Sequence, residues 1–267
     1  MKKIILSLFV TSVVIGQSIE ISKTKVNVGD VIEVKVFSTS ERNISIGKSV
    51  FPVYPVDKAE YKRVIIGIPS WWDAGEYKLS LKGIDSGVSF EIVKKDFPSE
   101  SIKIAPEKVQ DSEETKDQRE RIFNRICTKS IKQLWTGRFI VPVKGRVSTK
   151  YGTGRTVNNK KSSSHHKGID ISADLGASVK SANNGTVVLT GEYILTGKTV
   201  IIDHGQGIVS AYYHLSEIIV KEGADVKSGE VIAKVGSTGM STGPHLHWGI
   251  YIFGVDVDPM NFVDNDF

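Results

Sequence analysis

Cysteine is almost absent from the 267 residues: Cys127 stands alone. No intramolecular disulfide forms, and a cluster of cysteine metal ligands is excluded. Charge of either sign is scarce in excess, with 35 Lys+Arg against 30 Asp+Glu giving +5. A surplus that small does not point to nucleic acid as a partner. It suits work beside anionic material, although enzymes of neutral substrates carry similar charge. Long apolar runs are missing after the first 16 residues, so no later segment reads as a membrane span. With 40% hydrophobic and 24% charged residues, wholesale disorder, collagen-like repeats and disulfide miniproteins are excluded. A length of 267 residues suggests about two domains.

What is present begins at the N-terminus. Met1-Lys2-Lys3 precedes an apolar run over 4–15, broken only by Ser7, Thr11 and Ser12, and the chain turns polar after Gly16-Gln17. This is the layout of a secretory signal, with cleavage after Gly16 meeting the small-residue rule loosely. The run, about 12 residues, is short of the ~20 that span a bilayer. A buried N-terminal strand or an uncleaved anchor would read the same way. No cysteine follows, which excludes lipoprotein anchoring.

Residues 17–95 read as β-structure. Runs such as Val31-Ile32-Glu33-Val34-Lys35-Val36-Phe37 and Glu76-Tyr77-Lys78-Leu79-Ser80-Leu81 alternate apolar and polar positions. Turn signals at Val28-Gly29-Asp30 and Asp73-Ala74-Gly75 separate such runs. The spacing predicts a small antiparallel sandwich, immunoglobulin-like in outline. Trp71 and Trp72, at a turn, either form an exposed binding platform or, as the plainer reading expects, divide between core and sandwich end. Residues 96–137 read as linker and helix: Pro98-Ser99-Glu100-Ser101 and Ala105-Pro106 are linker-like, and 111–132 is charged, with Ile122, Ile126 and Leu134 near helical spacing. Residues 138–267 are rich in Gly and in short β-branched runs, which predicts a curved, all-β domain.

All six histidines fall in this last segment: His165, His166, His204, His214, His245 and His247. Imidazole is the commonest metal ligand and the usual base near neutral pH. In Gly243-Pro244-His245-Leu246-His247-Trp248, a strand would turn His245 and His247 to one face. They then serve as two ligands, or as one ligand beside a catalytic group, unless both face solvent. In His166-Lys167-Gly168-Ile169-Asp170, Gly168 lets the chain bend so that His166 and Asp170 converge. In Ala211-Tyr212-Tyr213-His214-Leu215, an apolar strand delivers one imidazole, with a buried structural histidine as the plainer alternative. Residues 158–164 read as a polar loop.

In this order, His-x-x-x-Asp, then Tyr-x-His-Leu, then His-x-His, the chain resembles the lysostaphin/LytM-type zinc metallopeptidases from Phe139 to Phe262. Pro142-Val143-Lys144-Gly145-Arg146-Val147, His204-Gly205-Gln206-Gly207, Val235-Gly236-Ser237-Thr238-Gly239 and Asp258-Pro259 agree as well. The resemblance implies that His166, Asp170 and His247 hold one Zn2+ ion. His214 and His245 would be the catalytic histidines, one as base and one toward the oxyanion or leaving amine, in an order the residues leave open. Tyr151 and Arg155 match a segment lining the groove; Arg155 would meet a substrate carboxylate or form a salt bridge. His204 would be structural and His165 exposed.

The resemblance also implies a substrate, the peptide stems or cross-bridges of bacterial peptidoglycan, outside the cytoplasmic membrane. Cleavage of D-Ala-linked cross-links, with D,D-carboxypeptidase activity a further option, is preferred to oligoglycine cleavage because no wall-binding module follows the catalytic segment. A regulatory protein partner is a further expectation, and the N-terminal sandwich is expected to limit access to the groove. Two other classes compete. A non-catalytic regulator of other wall hydrolases typically loses metal ligands, and here all are present. A biotinyl or lipoyl carrier would explain residues 220–232 but not the histidines.

Overall fold

Alternating apolar side chains in the first 100 residues build two sheets. In the computed structural model, residues 10–14, 17–37, 40, 42–81, 84–103, 112–128 and 130–267 are described. The chain divides into two compact units, Met1–Lys95 and Asp96–Phe267. The first contains β1 (Val10–Val14), β2 (Gln17–Ile21), β3 (Lys25–Val26), β4 (Val31–Phe37), β5 (Asn43–Ile46), β6 (Ser49–Pro52), β7 (Tyr54–Pro55), β8 (Lys62–Gly67), β9 (Gly75–Leu81) and β10 (Ile84–Ile92). One sheet runs β1-β2-β4-β8-β7 and the other β3-β10-β9-β5-β6. Most of the expected secretory leader, 1–9 and 15–16, lies outside the described residues, while 10–14 pair antiparallel with 17–21.

In β4, Ile32, Val34 and Val36 are buried as the alternation predicts. Glu33, on the opposite face, is buried too, and accepts a hydrogen bond from Arg63 Nη1 at 3.1 Å. Arg63 is its diagonal cross-strand neighbour in β8, where long side chains reach one another. The tryptophan pair departs from expectation: Trp71 is exposed, and Trp72 is half-buried where it stacks on Tyr77 at 4.9 Å. Neither enters the core, because the turn leaves one ring without a facing element.

The second unit starts with β11 (Ser99–Ile102) and α1 (Glu113–Ile126). A strand at 99–102 corrects the expectation of linker there. It pairs parallel with β13 (Gly154–Val157), which pairs with β14 (Lys160–His165). The expected loop at 158–164 is therefore mostly hairpin. Asn158 and Asn159 both have left-handed φ, 49° and 66°, the backbone of a tight two-residue turn. Helix α1 starts at Ser112, whose side chain accepts from Thr115 N in a capping box. It ends at Ile126 after 14 residues, inside the charged stretch read as helical. Its Ile122 and Ile126 pack on Leu189, Tyr193, Ile201, Val209 and Tyr251.

The main sheet is built from β12 (Arg146–Thr149), β15 (Ile169–Ser172), β16 (Ser178–Lys180), β17 (Gly185–Tyr193), β18 (Gly197–Gly205), β19 (Ile208–Ile218), β20 (Asp225–Val226), β21 (Val231–Val235), β22 (His245–Ile252) and β23 (Val255–Val257), with α2 (Met260–Asp264) at the end. Its main path is β12-β15-β22-β19-β18-β17-β20. The β-branched runs seen in the sequence occupy β17, β18, β19, β21 and β22, and most of their apolar residues are buried.

His204 belongs to this core. Its Nδ1 donates to Asn184 O and its Nε2 accepts from Ser210 Oγ, both at 2.7 Å. Burial pushes its imidazolium down to about 4, against the opposing pull of the Asn184 carbonyl and Asp203. The folded state therefore keeps His204 neutral where the unfolded chain, with a pKa near 6.5, takes a proton. Stability from this group is complete above about pH 6.5 and falls toward pH 4. By pH 5 the loss is about 2 kcal/mol. Urea unfolding of the metal-free protein at pH 7 and pH 5 should show it, with a shallower pH slope in His204→Gln.

Candidate metal centre

Strands β15 and β22 are antiparallel neighbours with Asp170 directly opposite His247. The segment 166–168 passes close over β22: a Cβ on Gly168 would lie 2.4 Å from Trp248 O and 3.0 Å from His247 Nε2. Glycine is needed there for that approach, rather than for the bend expected from the sequence. The approach brings His166 onto the same spot. His166 Nε2, Asp170 Oδ1 and His247 Nδ1 are each 2.9 Å from the other two. All three residues are buried.

The partners of these side chains fix their orientation. His166 Nδ1 lies 3.1 Å from Lys150 O. A carbonyl only accepts, so Nδ1 carries the proton and the Nε2 lone pair faces the cluster. His247 stacks on Tyr213 at 5.2 Å and 4°. Asp170 Oδ2 accepts from Arg155 Nη2 at 2.7 Å, and Arg155 Nε donates to Glu100 Oε1 at 2.8 Å. Burial would raise the Asp170 pKa, but its close contacts with the His166 and His247 rings hold it well below the carboxylate range. Burial pushes His247 down to about 4, against the pull of Asp170.

Two more imidazoles stand beside the cluster. His245 Nε2 is 3.8 Å from Asp170 Oδ1, and its Nδ1 donates to Gly243 O at 2.8 Å. His214 is 4.9 Å from His245 between ring centroids, and its Nδ1 donates to Thr238 O at 2.9 Å. In both, the carbonyl contact takes Nδ1 and leaves Nε2 as the ring nitrogen turned away from it. Burial, then the neighbouring His245 and His247, pushes His214 down to about 3, so it is neutral at pH 7. Simple strand alternation does not hold at His214. Its φ is +63°, and the β18–β19 register slips between Tyr212 and Leu215. It is the extra residue of a bulge, a device that re-aims one side chain.

These groups open onto a cleft of about 430 Å³, lined among others by Ser148, Arg155, Asp170, His214, Pro244 and His245. A second, apolar cavity of about 480 Å³ lies under α1. The first is the chemically equipped one. Of the residues singled out in the sequence, His166, Asp170, His214, His245 and His247 meet here, and Arg155 joins them through Asp170. Tyr151 does not line the cleft: it is buried, and its hydroxyl donates to Asp256 Oδ2 at 2.9 Å. His165 is not exposed either, because it pairs with Asp256 Oδ2 at 2.6 Å. Sequence reasoning assigned no role in the site to Glu100, Lys150, Tyr213, Thr238 or Gly243, although Tyr213, Thr238 and Gly243 stand within the motifs it singled out.

Two imidazole nitrogens and one carboxylate oxygen are a donor set that zinc accepts, close enough together for one ion to bind all three. A β-domain offering such a set beside two neutral-capable imidazoles is suited to metal-dependent hydrolysis. Residues 164–259 match the model of peptidase family M23. The peptidoglycan DD-endopeptidase ShyA of Vibrio cholerae is 36% identical over 123 residues, 46% of this chain and 29% of that protein. The DD-carboxypeptidase/endopeptidase Mpg of Neisseria meningitidis is 43% identical over 96 residues, 36% of this chain and 22% of that protein. The chain thus spans less than a third of these relatives. A Pseudomonas aeruginosa crystal structure assigned to peptidase M23 is 26% identical with a TM-score of 0.67, covering 88% of this chain and 93% of that one.

Proposed function

We propose that this chain is an exported, zinc-dependent endopeptidase that cuts peptide cross-links of bacterial peptidoglycan, as a D,D-endopeptidase. The observation that carries the proposal is the meeting of His166, Asp170 and His247 within 2.9 Å, flanked by His214 and His245, inside the segment matched to family M23. The names of the relatives supply the substrate class. Zinc, when bound, supplies a Lewis acid and makes water nucleophilic near neutral pH. His245 and His214 present their Nε2 atoms to the cleft, one to take the proton of the attacking water and one to steady the oxyanion or pass a proton to the leaving amine. Full ligation argues against a non-catalytic regulator. The basic start of the chain followed by an apolar run supports export.

The test is digestion of purified cross-linked peptidoglycan, with products read by mass spectrometry. Loss of cross-linked dimers, stopped by a zinc chelator and restored by zinc, is expected. Binding of zinc with no bond broken, in the full chain and in 96–267 alike, would refute the enzyme reading in favour of the regulator.

A further inference from the structure

We infer that Glu100 and Arg155 are positioning residues for Asp170, so that a strand about 70 residues upstream of the metal ligand belongs to the working site. The inference rests on the reading of His166, Asp170 and His247 as zinc ligands. Parallel pairing of β11 with β13 sets Glu100 directly beside Arg155, and neighbouring side chains of one ladder share a face. Arg155 spans two carboxylates, donating from Nε to Glu100 Oε1 at 2.8 Å and from Nη2 to Asp170 Oδ2 at 2.7 Å. The second oxygen of Glu100 accepts from Thr149 Oγ1 at 3.4 Å. Thr149 is the cross-strand partner of Asp170 between β12 and β15. The result is a closed frame: Asp170 is held by its backbone through β12 and by its outer oxygen through Arg155.

The frame does two things. A carboxylate turns easily about its last torsion; the hold on Oδ2 leaves Oδ1 aimed at His166 and His247. Arg155 also brings a positive charge near a cation site, which by itself weakens cation binding. Glu100 cancels that charge, so Glu100, Arg155 and Asp170 together present the same net charge as Asp170 alone. Outer partners of this kind typically contribute 10–100-fold to metal affinity. Arg155 and Glu100 are both partly sheltered, at 24% and 29% side-chain exposure, which keeps water from screening the pair completely.

The experiment is a double-mutant cycle on the full chain, read as zinc affinity by competition with a chromophoric chelator. Arg155→Ala should bind zinc ~10–100-fold more weakly. Glu100→Ala should also lose affinity, because it leaves an uncompensated guanidinium. The double variant should lose less than the product of the two single losses, since removing Arg155 removes the reason for Glu100. Arg155→Lys, which keeps charge without the two-pronged reach, should fall between wild type and Arg155→Ala. Metal-free thermal unfolding separates lost affinity from lost fold. Wild-type affinity in the single variants, or losses that simply multiply, would overturn the inference. So would a Glu100→Ala protein with unchanged zinc affinity and a lower KM, because Glu100 would then be blocking an anion site. A wild-type protein that holds no zinc would remove the metal-site reading and this inference together.

Discussion

Asp170→Ala protein should retain no zinc after purification and lose roughly 10³-fold or more in kcat/KM on cross-linked peptidoglycan, about 4 kcal/mol of barrier. The reason is geometric. Asp170 Oδ1 is the only carboxylate oxygen in the three-atom cluster, and it faces both imidazole donors at 2.9 Å. Removing it leaves two neutral nitrogens, a weak set for a divalent cation beside the charge of Arg155. His247→Ala should do the same, and Asp170→Ala with His247→Ala should be little worse than either, because ligands act as a unit. His245→Ala is the informative contrast. Its Nε2 sits 3.8 Å from Asp170 Oδ1, beside the cluster rather than in it. It should keep zinc while losing 10²–10⁴-fold in kcat, the usual weight of a general acid or base. Metal analysis and turnover on the same samples separate the two roles. An Asp170→Ala protein with stoichiometric zinc and near-normal turnover would remove Asp170 from the ligand set.

Much of this arrangement was readable because short-range rules set it. Apolar and polar residues alternate in β4 from Ile32 to Val36, and His-x-His on a strand brings His245 and His247 to the same side of β22. What was not readable depends on pairing between distant segments. Ser99–Ile102 carries one apolar residue in four and follows a proline, so nothing local marks a strand; β13 makes it one. The Asn158-Asn159 turn did carry a local signal, two residues that tolerate left-handed φ, but the polar run after it looked like loop. His214 follows period 2 on paper, and only the slipped register with β18 shows the bulge. Tyr151 and His165 were placed by segment likeness and by alternation, and both are instead drawn to Asp256, a buried carboxylate on β23 that needs donors.

The same distant pairing decides how far the second unit can be trimmed. A fragment starting at Arg138 keeps every histidine but is expected not to fold cooperatively, whereas 96–267 should. Residues 96–137 are structural parts of the unit rather than a tether. Trp135 is 1% exposed, and Ile122 and Ile126 are buried on the sheet. Losing the three apolar side chains forfeits on the order of 10 kcal/mol, comparable with the whole stability of a domain. Polar bonds go too: Thr128 and Ser130 donate to the buried Asp203 at 3.1 and 2.6 Å, and Leu134 N donates to His204 O at 2.8 Å. Glu100 would vanish with them. Calorimetry on the two fragments tests this, with a single sharp transition expected only for 96–267; a comparable transition in 138–267 would make the connector peripheral. The consequence reaches the N-terminal unit. Activity of 138–267 cannot report whether residues 17–95 limit access to the cleft, because a loss there follows from the missing core. The comparison that does report it is 96–267 against the full chain. Higher kcat/KM in the fragment at equal zinc content means that the first unit restrains the site, and equal values mean that it serves another purpose.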